Sequence, residues 1–189
     1  IHFVAAAAAV SDAGNLHHYE RLRLIAADRF SNTADPMIAD EVVKSCLIRP
    51  ADAELLAKLE PLVKVLEANL PWSKIDGPGE LMEAWQVLSL SLASYRKGDF
   101  PSAEQWALRC VRHPNNNPSR NAAARAVLAM ALHHTGRADE ARAALDLARG
   151  DVAAYFSKPF ELGSSGEGFW FDWMISRLLV TEADGVLAH

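Results

Sequence analysis

Five residue pairs in this chain recur at a single spacing of 38: Leu90 and Leu128, Ser91 and Ala129, Gly98 and Gly136, Ala103 and Ala141, Cys110 and Ala148. No other feature constrains the fold as much, because a fixed interval describes one supersecondary unit built twice. Apolar residues recur at helical period on both sides of each glycine, so each unit reads as two helices joined at Gly98 or Gly136. Small residues fall where the helices of a hairpin approach closely. Glycine supplies the positive φ that a helix-ending turn asks for.

The rest of the chain reads the same way. No stretch alternates apolar and polar residues with β-branched enrichment, and Gly, Pro and Asn punctuate helical stripes. An Ala-rich helix is expected over 2–12, a turn at Gly14, and a second helix from Leu16 to Phe30. Asp35-Pro36 and Asn117-Pro118 are cap-and-start pairs, and Asp52 caps a helix that Pro61 should kink or divide. Further helices are expected over 80–97, 100–112, 119–135, 138–149 and 169–187, with loops at 71–79 and 113–118. The stretch 157–168, rich in Gly and Ser, reads as an exposed loop, and the last helix as the cap of the stack.

A Leu-small pair, a Gly turn and an Ala in the second helix resemble the tetratricopeptide pattern. Four residues added to its usual period fit the loop Pro114-Asn115-Asn116-Asn117-Pro118-Ser119. Phe100 stands in the usual aromatic position, whereas Ala138 departs from it, and Val87 replaces the family's Trp. Gly14 and Leu16 fit the same scheme, although Tyr19 fills a small-residue slot, and the pair of helices over 38–68 fits least. The resemblance implies an all-α, right-handed superhelix of about four hairpins plus a C-terminal capping helix, one domain over 1–189.

A second resemblance is more particular. Tyr19-Glu20-Arg21-Leu22, Arg29-Phe30, Thr33-Ala34-Asp35-Pro36, Ala39, Val43-Lys44-Ser45-Cys46-Leu47 and Pro50 are similar to the start of the helical-repeat C-terminal regions of large bacterial serine/threonine protein kinases. The aromatic opening Phe169-Trp170-Phe171-Asp172-Trp173 is similar as well. This implies a scaffolding or partner-binding module that holds a protein, a peptide or another domain of its own chain. It does not imply a kinase here: no Gly-rich loop after a strand, no His-Arg-Asp and no Asp-Phe-Gly is present, and Gly163 to Gly168 reads as a loop.

Composition fits such a module. Half of the 189 residues are hydrophobic, 23% are charged and the net charge is −5. That leaves ample core and disfavours nucleic acid as a partner. The apolar run from Phe3 to Val10 is far too short to span a membrane. Cys46 and Cys110 lie among apolar residues and read as reduced core thiols, which suits the cytoplasm. The chain opens on Ile1 rather than Met and reads as part of a longer protein.

No chemistry-bearing motif stands out, and neither a cofactor nor a metal is expected. The neighbours His17-His18 and His133-His134 point about 100° apart on a helix and cannot chelate alone. Asp40-Glu41 and Asp139-Glu140 read as acidic helix starts that favour the macrodipole, and His113 as facing a helix C-terminus. By the repeat alignment Trp85, Leu92 and Tyr95, with Ala123, Met130 and His133 one repeat on, line the concave groove, and Arg96 and His134 stand beside them. These are the candidate partner-binding residues. The rival reading is a small helical enzyme or ligand-binding domain with its site in that groove. Three convergent polar side chains in one pocket would favour it. A groove filled by the chain itself would favour a passive spacer.

Overall fold

In the computed structural model residues 2–70, 78–158, 164–165 and 168–189 are described. Among them nine helices follow one another: α1 (His2–Asp12), α2 (Leu16–Phe30), α3 (Pro36–Leu47), α4 (Ala53–Ala68), α5 (Pro78–Arg96), α6 (Phe100–Val111), α7 (Pro118–His134), α8 (Ala138–Phe156) and α9 (Trp170–Leu187). The fold is all-helical apart from a ribbon of two two-residue strands, β1 (Ser164–Ser165) and β2 (Gly168–Phe169), paired antiparallel. No described helix is long and apolar enough to cross a membrane.

Three hairpins turn in the same way. Gly14, Gly98 and Gly136 have φ of 73°, 79° and 80°. In each turn the glycine N–H donates three residues back (Gly98 to Tyr95, 3.0 Å; Gly136 to His133, 3.0 Å). The next N–H donates five back (Asp99 to Ser94, 3.0 Å; Arg137 to Leu132, 2.9 Å), and Gly14 and Asn15 repeat the pair. These two hydrogen bonds satisfy carbonyls that a helix end leaves open. The side chains of Asn15 and Asp99 then cap the following helices through the N–H groups of His18 and Ser102.

Asp35, Asp52 and Asn117 cap α3, α4 and α7 as their sequence contexts require. Pro61 does not divide α4, which runs unbroken to Ala68 with Leu55, Leu59, Leu62, Val63 and Leu66 buried along one face. That burial offsets the hydrogen bond Pro61 cannot make. α5 begins at Pro78, inside the expected loop, and the remainder of that loop lies outside the described residues. α8 passes through Gly150, where expectation ended it, because one exposed glycine costs only about 1 kcal/mol and Val152 is buried beyond it.

The odd-numbered helices form an inner layer. α1 packs on α3, α3 on α5, α5 on α7 and α7 on α9, and each even-numbered helix packs on the odd ones flanking it. The Gly98 and Gly136 hairpins therefore lie side by side. α7 is buried on nearly every face, and its run of small residues (Ala122, Ala123, Ala124, Ala126, Ala129, Ala131) lets four helices approach it. α9 packs on α7 and α8, and Phe171, Ile175, Leu179 and Ala183 along it are buried. It also meets α1, so the inner layer closes on itself.

Charged side chains fasten that closure. Arg177 of α9 pairs with Asp12 of α1 and lies 4.2 Å from the Phe156 ring. Arg96, at the end of α5, donates to the carbonyls of Leu47 and Ile48 at 3.1 Å and pairs with Glu182 of α9. Tyr19, the misfit in the repeat alignment, has its own role. Its buried hydroxyl donates to the carbonyls of Ser45 (2.9 Å) and Cys46 (3.1 Å) at the end of α3, and burial pushes its pKa up to about 12.

Of the stretch 157–168, expected as an exposed loop, 159–163 and 166–167 lie outside the described residues, Ser157 and Lys158 are exposed, and Gly168 departs from the expectation. It is buried, with φ of 116°, and a Cβ there would collide with Ser119 Oγ and lie 3.0 Å from Ser119 Cβ at the start of α7. Gly168→Ala is therefore expected to destabilise the protein more than Gly98→Ala, around which space is open. The latter carries only the positive-φ cost of about 1–2 kcal/mol, and the collision adds about 1–3 kcal/mol to the former. Urea unfolding of the two variants checks the order.

Candidate functional site

The candidate groove residues do not converge on one surface. Leu92 and Met130 are fully buried and Ala123 nearly so, so they form core rather than a groove floor. α3, α4, α6 and α7 surround α5, and α5, α6, α8 and α9 surround α7, so neither Leu92 nor Met130 is left facing an open groove. Tyr95 is buried and lies against Phe100 (5.8 Å) and His134 (6.0 Å), and His134 stacks on Phe100 at 4.2 Å. His134 is exposed and His133 half-buried. Arg96 is committed to Glu182 and the end of α3. Trp85 lies ten residues from Tyr95 along α5, about 15 Å at 1.5 Å per residue, and belongs to a different environment.

That environment is a cavity of about 240 Å³ between α1, α3, α5 and the start of α9. Val4, Met37, Met82, Trp85, Phe169 and Phe171 supply its apolar wall. Asp40, Glu41, Lys44 and Asp172 supply its charge. On α3, Asp40 and Lys44 stand one turn apart and pair at 2.9 Å, both side chains almost wholly buried. Asp40 Oδ1 also accepts a bond from Ser89 Oγ on α5 at 2.5 Å. The Lys44 ammonium lies 4.6 Å from the Trp85 ring, a cation–π contact. Asp40 is thus no macrodipole partner, as its sequence position suggested, because it sits beyond the first turn of α3 and points inward.

Behind Trp85 lies Arg120 of α7, fully buried and 5.6 Å from the ring. Its Nη atoms donate to Asn115, its Nε has no partner, and among the described residues no carboxylate pairs with it. Burial holds its pKa below the ordinary value. Asp172, in the first turn of α9, is only 5% exposed. Its Oδ2 accepts the Phe169 N–H at 3.3 Å, and no described group donates to Oδ1. Burial pushes its pKa up to about 6, and Asp40 adds to the shift. Lys44, the Phe169 N–H and Arg120 pull against it.

The two thiols lie elsewhere in chemical terms. Both are free and buried, and burial pushes Cys46 to about 12 and Cys110 to about 11, so neither is a thiolate at neutral pH. His113 accepts a bond from the Asn115 N–H at Nδ1 (3.1 Å) and so orders the loop before α7. No group of His, Cys, Asp and Glu suited to a metal ion occurs among the described residues.

Sequence reasoning missed Asp40, Lys44, Arg120 and Asp172. Asp40 and Lys44 look like an ordinary exposed i,i+4 pair, and Asp172 like an acidic helix start. A signal was nonetheless present. Three of them lie within an apolar stripe: Asp40 between Ala39 and Val43, Lys44 between Val43 and Leu47, and Asp172 between Phe171 and Ile175.

No family model matches the chain, nor does any curated protein or solved structure.

Two expectations follow from the charges. Lys44→Met leaves Asp40 buried without its cation and should cost about 3–5 kcal/mol, whereas adding Asp40→Leu should recover much of that loss. A double-mutant cycle in urea reads the coupling. For Asp172 the folded pKa of about 6 exceeds the ordinary 3.8. Between those values the folded protein holds a proton that the unfolded chain has lost, so this group's stabilisation fades as pH rises through 6. Asp172→Asn removes the penalty. It should be more stable than the parent at pH 7–8, by up to about 3 kcal/mol, and nearly equal at pH 4, as thermal unfolding across that range would read.

Proposed function

We propose that this chain is a tetratricopeptide-like binding module: four helical hairpins in a right-handed superhelix, closed by a capping helix. In this reading it serves as the C-terminal regulatory or partner-binding region of a bacterial serine/threonine protein kinase. The observation that carries the reading is the repeated turn. Three hairpins share one glycine conformation and one pair of back-donating hydrogen bonds, and two of them lie 38 residues apart in sequence. Repeats of this kind stack rigid helices and offer surface to a partner, and work through recognition rather than chemistry. The module acts in the cytoplasm, in keeping with its two free thiols.

The inner layer is filled by the chain's own side chains, which favours a spacer over groove binding, so the binding reading rests on the surface outside it. With Leu92 and Met130 in the core, a partner meets edges such as the exposed His134 and its neighbour His133. The reading has two tests. The full reading frame should encode a kinase domain ahead of this segment, and a different domain there overturns the parentage. The purified chain, given labelled ATP and a generic protein substrate, should transfer no phosphate above a blank.

A second reading, a ligand-binding domain, is favoured by one observation. Asp40, Lys44 and Asp172, three polar side chains from two helices, converge on a single cavity.

A further inference from the structure

The charges around the cavity indicate what it would hold. Of the described charged residues lining it, three are carboxylates (Asp40, Glu41, Asp172) and one is an ammonium, Lys44. Lys44 is already spoken for: it pairs with Asp40 and lies on Trp85. Asp40 is likewise engaged on both oxygens, by Lys44 and Ser89. Asp172 is different. It is 95% buried, lines the cavity, and its Oδ1 receives no hydrogen bond from a described residue. That oxygen opens onto the cavity, where a ligand can supply the donor that no described residue does.

The wall adds a second requirement. Phe171 and the thioethers of Met37 and Met82 present apolar, polarisable surface, and Phe169 stacks on Phe171 at 5.1 Å near the mouth. Aromatic faces and thioethers beside a carboxylate suit an ammonium that carries hydrocarbon. An anion would meet the Asp172 carboxylate, and the one described cation lining the cavity, Lys44, is already paired. The volume of about 240 Å³ falls below most drug-sized pockets, which suits a small ligand.

We propose that this cavity binds a small organic cation, a protonated amine or alkylammonium with an apolar group, whose charge meets Asp172 and whose apolar part meets Phe171, Met37 and Met82. This rests on the ligand-binding reading above and names its ligand class. The bound cation would supply the missing donor to Asp172 Oδ1, as Lys44 does for Asp40 from within the chain.

The test uses the whole chain and three probes of one shape: phenethylammonium, 2-phenylethanol and 3-phenylpropionate. Titration calorimetry and ligand-observed NMR are run at high salt, so that the overall charge of −5 does not gather cations non-specifically. Phenethylammonium should bind at least tenfold more tightly than the alcohol, and the carboxylate least. Asp172→Asn should weaken the ammonium about tenfold and leave the alcohol unchanged, which also shows that the variant is folded. Met82→Trp, which fills the cavity, should abolish both. Equal affinity for ammonium and alcohol overturns the cation assignment and leaves the ligand-binding reading standing. Failure of all three probes overturns both. Ammonium binding that survives Asp172→Asn and Met82→Trp places the cation elsewhere and overturns the site.

Discussion

The contact of α9 with α1 is the constraint on which the rest of this structure depends. A row of hairpins leaves the inner faces of its odd-numbered helices facing a groove, and large apolar side chains there are left in water. Here the last helix packs on α7 and α8 and reaches the first helix, and Arg177 joins Asp12 across the seam. Arg96 and Glu182 brace the same closure from α5, and Arg96 also satisfies two carbonyls at the end of α3. Each of these guanidinium contacts spans elements far apart in sequence, so the closure is a property of the whole chain.

Closure makes an interior, and this interior is unusually polar. Asp40, Lys44, Arg120 and Asp172 are all buried, with Ser89, Gln86 and Asn121 among them. Such groups are tolerated where they are paired, and Asp40 with Lys44 and Ser89 meets that condition. Arg120 and Asp172 meet it only in part. One guanidinium nitrogen has no acceptor and one carboxylate oxygen no donor. Hydrophobic residues of similar volume would serve stability at least as well, so the polar cluster is better understood through the cavity beside it than through the fold.

The boundaries of the helices were largely legible along the chain, because their signals are local. Asp35-Pro36, Asp52, Asn117-Pro118 and the three turn glycines act through hydrogen bonds within a few residues. The misses mark where distant contacts intervene. Pro61 fails to divide α4 and Gly150 fails to end α8, since buried side chains on both sides of each residue hold the helix together. Gly168 looked like one more flexible residue of a glycine-rich stretch, yet its lack of a Cβ is what lets the ribbon approach Ser119.

What the sequence by itself determined is therefore the all-helical class, the repeated glycine turns and the apolar face of the last helix, all of which follow from periodicity and backbone chemistry at short range. Whether Leu92 and Met130 line a groove or fill a core was not decided locally. That depended on how the neighbouring helices, several of them far along the chain, pack around α5 and α7. The cavity was decided the same way. Asp40 and Lys44 come from α3, Trp85 from α5 and Asp172 from α9, and each is an unremarkable residue in its own helix. Only packing brings them together and removes their water, and it is the loss of water that turns ordinary charges into a site.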